Sequence, residues 1–457
     1  MTQSIPNFLK IRDDHKPLEF YANGDSFKPV AGSEASWFKD DVFKRKELRN
    51  RIEPWLTSLF QSEHLSLLVG SGLTHAVHSL ATDGPATGMS TLSLTTYQDV
   101  ISRAALKASE VAGRKSGNLE DQLRVANELL RGLEILQRDD DANALKKQLA
   151  AGMKGFAKSI LASEAGILGA KQEKREQAFT TLVTFLMSFA SRTGTRDRLN
   201  IFTINYDRLI EAGAELAGLH LLDRFLGNLM PIFRSSRLDL DMHYNPPGIR
   251  GEPRYLEGVA RFTKLHGSVD WVQMDKDIRR IGLPFGATNV APYLCAPGLR
   301  GATAYDLMIY PNAAKDRETA GYPYVELFRD LAAAVCRPNS TLVTYGYSFG
   351  DEHINRVIRD MLTIPSTHLV VIAYSDAPLG RIMKAYEEWG RSSQVSLLIG
   401  PELADLTILT EHYLPKASID KTTFRMSELL KQRWGTQQVE ESAPLLDNHA
   451  AQQQGGA

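Results

Sequence analysis

Short apolar runs that end in turn residues alternate with helical periodicity along most of the chain. Six such runs lie at residues 65–69, 199–202, 262–265, 341–345, 369–373 and 395–399, and most of them are nearly continuous in apolar character. Strands buried on both faces of a parallel sheet have this pattern, because helices cover both faces. Helical stripes follow the runs, as in the segment after Gly350. The alternation predicts an α/β protein built on an open, doubly wound parallel sheet.

Two long segments interrupt this alternation. Residues 76–198 carry leucines and phenylalanines at helical spacing, which predicts a helical insertion. Residues 221–261 are irregular and predict a second insertion. An arm followed by a helix is predicted for residues 1–60, and a disordered tail for the polar residues 436–457. Residues 61–435 are therefore expected to form one domain that contains both insertions.

Composition excludes several classes of protein. The chain has 53 Lys and Arg against 54 Asp and Glu, a balance that argues against coating nucleic acid or an acidic membrane. Only two cysteines are present, Cys295 and Cys336, which excludes a disulfide scaffold and a cysteine-rich zinc site. No apolar run approaches the roughly 20 residues that cross a bilayer. Residues 13 and 14 are acidic where a secretory signal needs an apolar core, so no such signal is expected. A cytoplasmic protein without direct membrane or nucleic-acid contacts is expected.

Glycines and small polar residues follow the first apolar run. Gly70, Ser71 and Gly72 would let the backbone approach a pyrophosphate, whose charge the next helix N-terminus stabilises. Thr74 adds a hydroxyl to this loop. His75 stands where a full G-x-G-x-x-G fingerprint has its third glycine, so an ordinary tight turn explains the loop about as well.

The second and third apolar runs also end in polar side chains. Thr203, Asn205 and Asp207 follow the second run, where a purely structural design avoids such a concentration. A helix cap accounts for Asp207 but not for Asn205. His266 and Gly267 follow the third run, and a histidine beside a glycine can act as a general base with room for a substrate. A hydrogen-bonded core histidine is the alternative.

The fourth apolar run ends in Gly346, Ser348 and Asp351, which can place a hydroxyl and a carboxylate near a ribose. The same segment matches G-x-S-x-G, the nucleophile elbow of serine hydrolases. A triad in the order Ser, Asp, His is then available from Ser348, Asp376 or Asp405, and His412. That alternative does not explain the polar residues after the second run.

In this order, the glycine loop, T-x-N-x-D, H-G and G-x-S-x-x-D resemble the sirtuin family over about residues 65–400. The resemblance implies a Rossmann-like fold that takes NAD⁺ as its substrate. By position it implies NAD⁺ contacts from Gly70, Ser71, Gly72, Thr74, Thr203, Gly346, Ser348 and Asp351. It implies catalytic roles for Asn205, Asp207 and His266.

Departures from the protein-deacylating sirtuins point to a narrower group. The chain lacks the four zinc-binding cysteines of their small domain, and Thr74-His75-Ala76-Val77 replaces their G-I-P-D-F-R segment. Asn205-Tyr206-Asp207 and Gly346-Tyr347-Ser348 resemble the divergent bacterial branch. That branch contains NAD⁺ hydrolases of antiphage defence, which deplete NAD⁺ and work as oligomers or with a HerA-type ATPase. The resemblance therefore implies a homo-oligomer and such a partner.

The chemistry of NAD⁺ suggests a division of roles. Nicotinamide leaves ribose as a neutral group, so no general acid is required, unlike in ordinary glycosidases. Asn205 would orient the carboxamide or the water, Asp207 would stabilise the ribosyl cation, and His266 would activate the water or a ribose hydroxyl. The products would be nicotinamide and ADP-ribose. A sensor that binds NAD⁺ or ADP-ribose without turnover would use the same residues.

A metal enzyme is the least favoured alternative. His75 and His78 could share a helix face, but the sequence suggests no third ligand. No metal site is predicted.

Overall fold

A computed structural model of the chain describes residues 5–11, 14–33, 37–38, 42–87, 92–111, 119–191, 197–235, 241–244, 254–274, 277–299, 301–307, 322–377 and 380–416. The chain divides into two units, Met1–Pro415 and Lys416–Ala457. The elements given below belong to the first unit. The tail predicted to be disordered, 436–457, lies outside the described residues.

An eleven-stranded sheet runs through the first unit. Its strands are β1 (Asn7–Lys10), β2 (Leu18–Asn23), β3 (Ser26–Pro29), β4 (Phe43–Lys44), β5 (His64–Val69), β6 (Asn200–Thr203), β7 (His220–Leu222), β12 (Val259–Lys264), β15 (Ser340–Tyr345), β16 (His368–Ala373) and β17 (Val395–Ile399). Smaller sheets contain β8 (Phe225–Leu226), β9 (Ile232–Phe233), β10 (His243–Tyr244), β11 (Arg254–Tyr255), β13 (Trp271–Met274) and β14 (Asp277–Arg280). The predicted irregular insertion thus contributes short strands.

The parallel part of the large sheet has the strand order of Rossmann-like folds. Across the sheet the order is β17-β16-β15-β5-β6-β12-β7, with every neighbouring pair parallel. The chain builds outward from β5 through β6 to β12, and then from β15 through β16 to β17. The order therefore reverses between β5 and β15, the position where such sheets bind ligands. The predicted α/β fold is confirmed, and the six apolar runs correspond to its six main strands.

The amino-terminal segment differs from the predicted arm. There β1 pairs antiparallel with β17, and β2, β3 and β4 continue the sheet. Phe20 and Phe27 pack edge to face at 5.3 Å and belong to the core. These strands are short and only half apolar, because one face packs while the other is partly exposed, so they lack the continuous runs used for prediction.

Helices cover both faces of the sheet. They are α1 (Arg45–Phe60), α2 (Ser71–Thr82), α3 (Gln98–Val111), α4 (Leu119–Ile135), α5 (Asp139–Leu168), α6 (Gln172–Ala190), α7 (Leu209–Ala217), α8 (Tyr324–Val335), α9 (Glu352–Leu362), α10 (Arg381–Trp389), α11 (Pro401–Ala404) and α12 (Leu406–Ile408). One core contains apolar residues of α1, α2, α6 and α7, and another those of α8, α9 and α10. The predicted helical insertion supplies α3, α4 and α5, which share a third core.

A buried histidine at the start of β16 makes the stability of the fold depend on pH. His368 Nε2 lies 2.8 Å from Ser396 Oγ, which also accepts a hydrogen bond from Trp55 Nε1 at 2.9 Å. Burial, with a contribution from Lys10, lowers the pKa of His368 to about 4. The imidazole is therefore neutral in the folded protein at neutral pH.

Acidification is expected to destabilise the fold through His368. The imidazole of His368 binds a proton more tightly in the unfolded chain than in the folded protein. The stabilisation from neutral His368 is therefore complete above its ordinary pKa and is lost as the pH falls toward 4. The loss should reach about 2 kcal/mol between about pH 7.5 and pH 5. Urea unfolding at both values should show this extra loss in the parent and not in His368→Gln. The exposed-histidine control His15→Gln should behave as the parent; equal losses in all three proteins would contradict the assignment.

Candidate active site

A cavity of about 340 Å³ opens beyond the carboxyl ends of the central strands, where the strand order reverses. It gathers residues from all four polar strand ends. The predicted residues that line it are Ser71, Thr74, Asn205, Asp207, His266, Ser348 and Asp351. The other predicted residues lie behind this lining: Gly70 and Thr203 hydrogen-bond to Asn205, and Gly72 to Gly346. The fold thus brings every predicted site residue to one edge of the sheet.

The glycine loop packs directly against the loop that follows β15. Gly70 N donates to Tyr345 O at 3.0 Å, and Gly72 N donates to Gly346 O at 3.1 Å. A Cβ atom on Gly72 would lie 2.5 Å from Gly346 Cα, and Gly346 has a φ of +61°. Only glycine satisfies both the close approach and the left-handed conformation. Gly72 and Gly346 therefore join the two halves of the sheet where the ligand cavity begins.

Asn205 is held with its amide group at a fixed orientation. Its Nδ2 donates to Gly70 O at 2.9 Å and to Thr74 Oγ1 at 3.1 Å, while its backbone N donates to Thr203 Oγ1. Both amide hydrogens are therefore used within the protein. In the described part of the chain no donor reaches Asn205 Oδ1, so this oxygen is the atom of the side chain that can accept a hydrogen bond from a ligand.

Asp207 combines a structural contact with a position on the cavity. Its Oδ1 accepts from Leu209 N at 3.1 Å, at the start of α7, as a helix-capping interpretation requires. Its Oδ2 accepts from Thr74 Oγ1 at 2.6 Å. Thr74 thus connects Asp207 with Asn205, and the half-buried carboxylate brings negative charge to the cavity wall.

His266 and Asp351 form a buried pair that the sequence analysis did not predict. His266 Nε2 lies 2.9 Å from Asp351 Oδ2. Asp351 also begins α9, where its Oδ1 accepts from His353 N at 3.0 Å. A carboxylate on Nε2 favours the tautomer with its proton there, which leaves Nδ1 as the basic nitrogen. Asp351, predicted from the strand end to lie near a ribose, lines the cavity and contacts the histidine through its carboxylate.

The segment around Ser348 does not have the geometry of a nucleophile elbow. The left-handed conformations fall on Gly346 and Phe349, and Ser348 itself has ordinary backbone geometry. Among the described residues, no histidine hydrogen-bonds to Ser348. The proposed acids have other roles: Asp376 accepts from Ile382 N and Met383 N, and Asp405 caps a helix. The serine hydrolase alternative thus lacks its triad.

The helical insertion covers the cavity, a role that the sequence analysis did not assign to it. Phe156, Ser159, Ile160 and Ser163 of α5 line the cavity from the side opposite the strand ends. Phe156 also packs edge to face on Tyr206, with ring centroids 5.6 Å apart. No sequence signal marks these residues, since they occupy one stripe of an otherwise ordinary amphipathic helix.

A buried ion pair attaches this cover to the strand-end loop. Glu164 of α5 accepts from Arg208 N at 2.8 Å and from the Arg208 guanidinium. Burial raises the pKa of Glu164, and the adjacent guanidinium opposes this shift. Because Arg208 is adjacent to Asp207, the position of α5 and the position of the site residues are linked.

A larger cavity of about 870 Å³ adjoins the first. Both cavities are lined by Ser71, His75, Tyr347 and Ser348, so they meet at the first turn of α2. Residues after β16, Tyr374 and Ser375, line the far side.

Burial lowers the pKa of His75, and the nearby His78 adds to this effect. The residues that the structure describes contain no group of three or more His, Cys, Asp or Glu side chains placed to bind a metal ion.

Part of the chain matches the model of a known protein family. Residues 199–392 match the family model described as the SIR2-like domain. The match covers the strand ends that carry Asn205, His266 and Ser348. No curated protein sequence matches the chain. The SIR2-like match supports a sirtuin-like family and NAD-dependent activity in general.

None of the helices in the described part of the chain has the length and the apolar character that a membrane span requires.

Proposed function

We propose that this chain is an NAD⁺ glycohydrolase, which cleaves the bond between nicotinamide and ribose to release nicotinamide and ADP-ribose. The observation that carries the proposal is the juxtaposition of Asn205 with the His266–Asp351 pair in one cavity at the reversal of strand order. The SIR2-like match supports NAD⁺ as the substrate.

The two adjoining cavities suit the two halves of NAD⁺. The nicotinamide riboside would occupy the smaller cavity, beside Asn205 and His266, and the adenosine the larger. The diphosphate would then lie between them at the amino end of α2, whose helix dipole favours an anion. Ser71 and His75 line both cavities there, and Arg381 adds a cation to the smaller one.

The residues of the smaller cavity can perform the reaction with water as the nucleophile. The C1′–N bond breaks, its electron pair passes to the pyridinium nitrogen, and nicotinamide leaves as a neutral molecule. Asn205 Oδ1 would accept a hydrogen bond from the carboxamide or from the water, and Asp207 would stabilise positive charge on the ribose. Water oxygen bonds to C1′ and its proton passes to His266 Nδ1, while Asp351 stabilises the imidazolium.

The purified full-length chain, incubated with NAD⁺, is expected to release nicotinamide and ADP-ribose in equal amounts, measured by liquid chromatography. Asn205→Ala should lower this release about a hundredfold, because the positioned acceptor is lost. Ser348→Ala removes a hydroxyl that lines both cavities and should lower the release much less than Asn205→Ala does, because Ser348 is not the nucleophile of the proposed reaction. Unchanged thermal midpoints in both variants would show that the fold is intact. Parent-level release from Asn205→Ala would contradict the proposed role.

Binding without cleavage defines the second candidate function, a sensor of NAD⁺ or ADP-ribose. The ion pair between Glu164 and Arg208 favours this candidate. A ligand that moves Asp207 would also move Arg208, and through the ion pair it would shift α5. Calorimetric binding of NAD⁺ with no nicotinamide release, in the isolated and the assembled protein, would support the sensor and contradict the hydrolase.

A cytoplasmic antiphage effector that depletes NAD⁺ is the cellular role that we propose for this activity. Such an effector must be silent in a healthy cell, and assembly is one means of control. Ile135 and Leu136, at the end of α4, are 66% and 70% exposed and would suit a contact in a homo-oligomer. Light scattering of the purified chain, alone and with a HerA-type ATPase, tests both assemblies; a monomer under both conditions would contradict them.

A further inference from the structure

A third cavity, of about 380 Å³ and lined largely by polar residues, lies beside β6 and β12 and shares no lining residue with the two cavities of the candidate active site. Among the described residues, four arginines line it, Arg198, Arg224, Arg261 and Arg337, and we call it the arginine cavity. Arg198 precedes β6, Arg261 lies on β12, and Arg337 follows α8. The cavity is thus enclosed between one face of the sheet and the carboxyl end of a helix.

Aspartates bind these arginines only in part. Asp330 accepts from Arg224 Nε at 2.8 Å and from Nη2 at 2.5 Å. Asp241 contacts both Arg198 and Arg261, and Asp197 accepts from Arg337 Nη1 at 3.0 Å. A further acid, Glu326, lies 3.9 Å from Arg224 Nη2. Arg198 also donates to the backbone carbonyls of Leu256, Val259 and Met242. The ion pairs of Arg224, Arg261 and Arg337 use only part of the five N–H groups that each of these arginines has.

Two of the remaining donors are buried and lack a protein acceptor. In the part of the chain that the structure describes, neither Arg224 Nη1 nor Arg261 Nε has a hydrogen-bond partner. Arg224 is only 7% exposed. A buried guanidinium nitrogen without an acceptor is unfavourable, so the protein leaves part of the hydrogen-bonding capacity of these arginines unsatisfied.

We propose that the arginine cavity binds a small anion with two or more phosphate groups. Planar guanidinium groups bind phosphate oxygens through paired, charge-assisted hydrogen bonds, which Arg261 and Arg337 can supply, while Arg224, whose Nε and Nη2 are bound to Asp330, adds positive charge to the wall. Asn200 and Thr263, from neighbouring strands, add polar groups to the wall. The cavity is many times larger than the roughly 30 Å³ that one water takes up. This site does not depend on the proposed NAD⁺ hydrolysis.

Titration calorimetry of the full-length chain with inorganic pyrophosphate tests this site. Binding should weaken at least tenfold in Arg337→Gln and in Arg261→Gln. Arg359→Gln is the matched control, because its exposed side chain resembles Arg337 and pairs with a glutamate outside the cavity. The titrations should be repeated with saturating ADP-ribose, since the active-site cavity could also hold phosphate groups.

Pyrophosphate binding that persists with ADP-ribose and is lost in the two cavity variants would support the arginine cavity. Displacement by ADP-ribose would assign the pyrophosphate to the active-site cavities and overturn the proposal. Absence of binding, or equal binding by the parent and Arg337→Gln, would also overturn it and leave water as the occupant. Arg337 is partly exposed, so this variant is expected to fold even if Arg261→Gln does not.

Discussion

Replacement of His266 by alanine is expected to lower NAD⁺ cleavage about a thousandfold. The reason is that His266 lines the smaller cavity together with Asn205 and is the general base of the proposed reaction. Its removal would leave the attacking water without a proton acceptor. The nicotinamide release rate at saturating NAD⁺ measures the effect. NAD⁺ binding should change little, because the imidazole acts on water and not on the nucleotide.

Substitution of Asp351, which contacts His266, should lower the rate of NAD⁺ cleavage nearly as much. Asp351 is a positioning residue, and in Asp351→Asn an amide NH₂ can donate to His266 Nε2 and move the imidazole proton to Nδ1, the nitrogen that must act as base. We expect a loss of about a hundredfold in kcat with little change in KM. Asparagine also caps helices well, so α9 should remain formed.

A double-mutant cycle separates positioning from structural damage. If Asp351 acts through His266, adding Asp351→Asn to His266→Ala should cause almost no further loss. Asp306→Asn is the matched control and should keep parent activity, because Asp306 also accepts a hydrogen bond from a backbone N, that of Thr303, and lines neither of the two NAD⁺ cavities. Independent, multiplicative losses from His266 and Asp351 would contradict the pairing as the basis of the effect.

Replacement of Gly72 by alanine is expected to destabilise the fold by about 3 kcal/mol or more. The added Cβ would lie 2.5 Å from Gly346 Cα, whereas carbon atoms in contact are about 3.5–4.0 Å apart. Gly346 Cα is a backbone atom and the added Cβ is bonded directly to the backbone of Gly72, so neither can move by a change of rotamer and the loops after β5 and β15 must separate to make room. The midpoint of urea unfolding measures the loss, and NAD⁺ cleavage should fall with it because the site spans both loops.

Gly155→Ala is the control for this substitution. Gly155 is exposed within α5, and an added Cβ there meets no atom within 4 Å. Alanine is the better helix former, so the free energy of unfolding of this variant should rise by about 0.5–1 kcal/mol. The two glycine substitutions are therefore expected to change the free energy of unfolding in opposite directions. An unfolding midpoint for Gly72→Ala equal to that of the parent would be incompatible with the close approach of the two loops.

The sequence by itself determined the main strands, the fold class and the chemical character of the strand ends. Burial of a parallel sheet on both faces requires apolar runs, and these runs are visible without any knowledge of their neighbours. Once the strands are placed, the polar residues after them must share one edge of the sheet. For this reason Asn205, Asp207 and His266 could be grouped before their distances were known.

Tertiary structure alone decided which groups contact each other. His266 pairs with a carboxylate 85 residues away, and Glu164 of the insertion pairs with Arg208. The arginine cavity likewise combines residues from β6, β12 and α8. Such contacts depend on which elements pack side by side, and no local pattern of apolar and polar residues specifies that packing. The amino-terminal strands add to the sheet for the same reason, since β17 offers them a free edge.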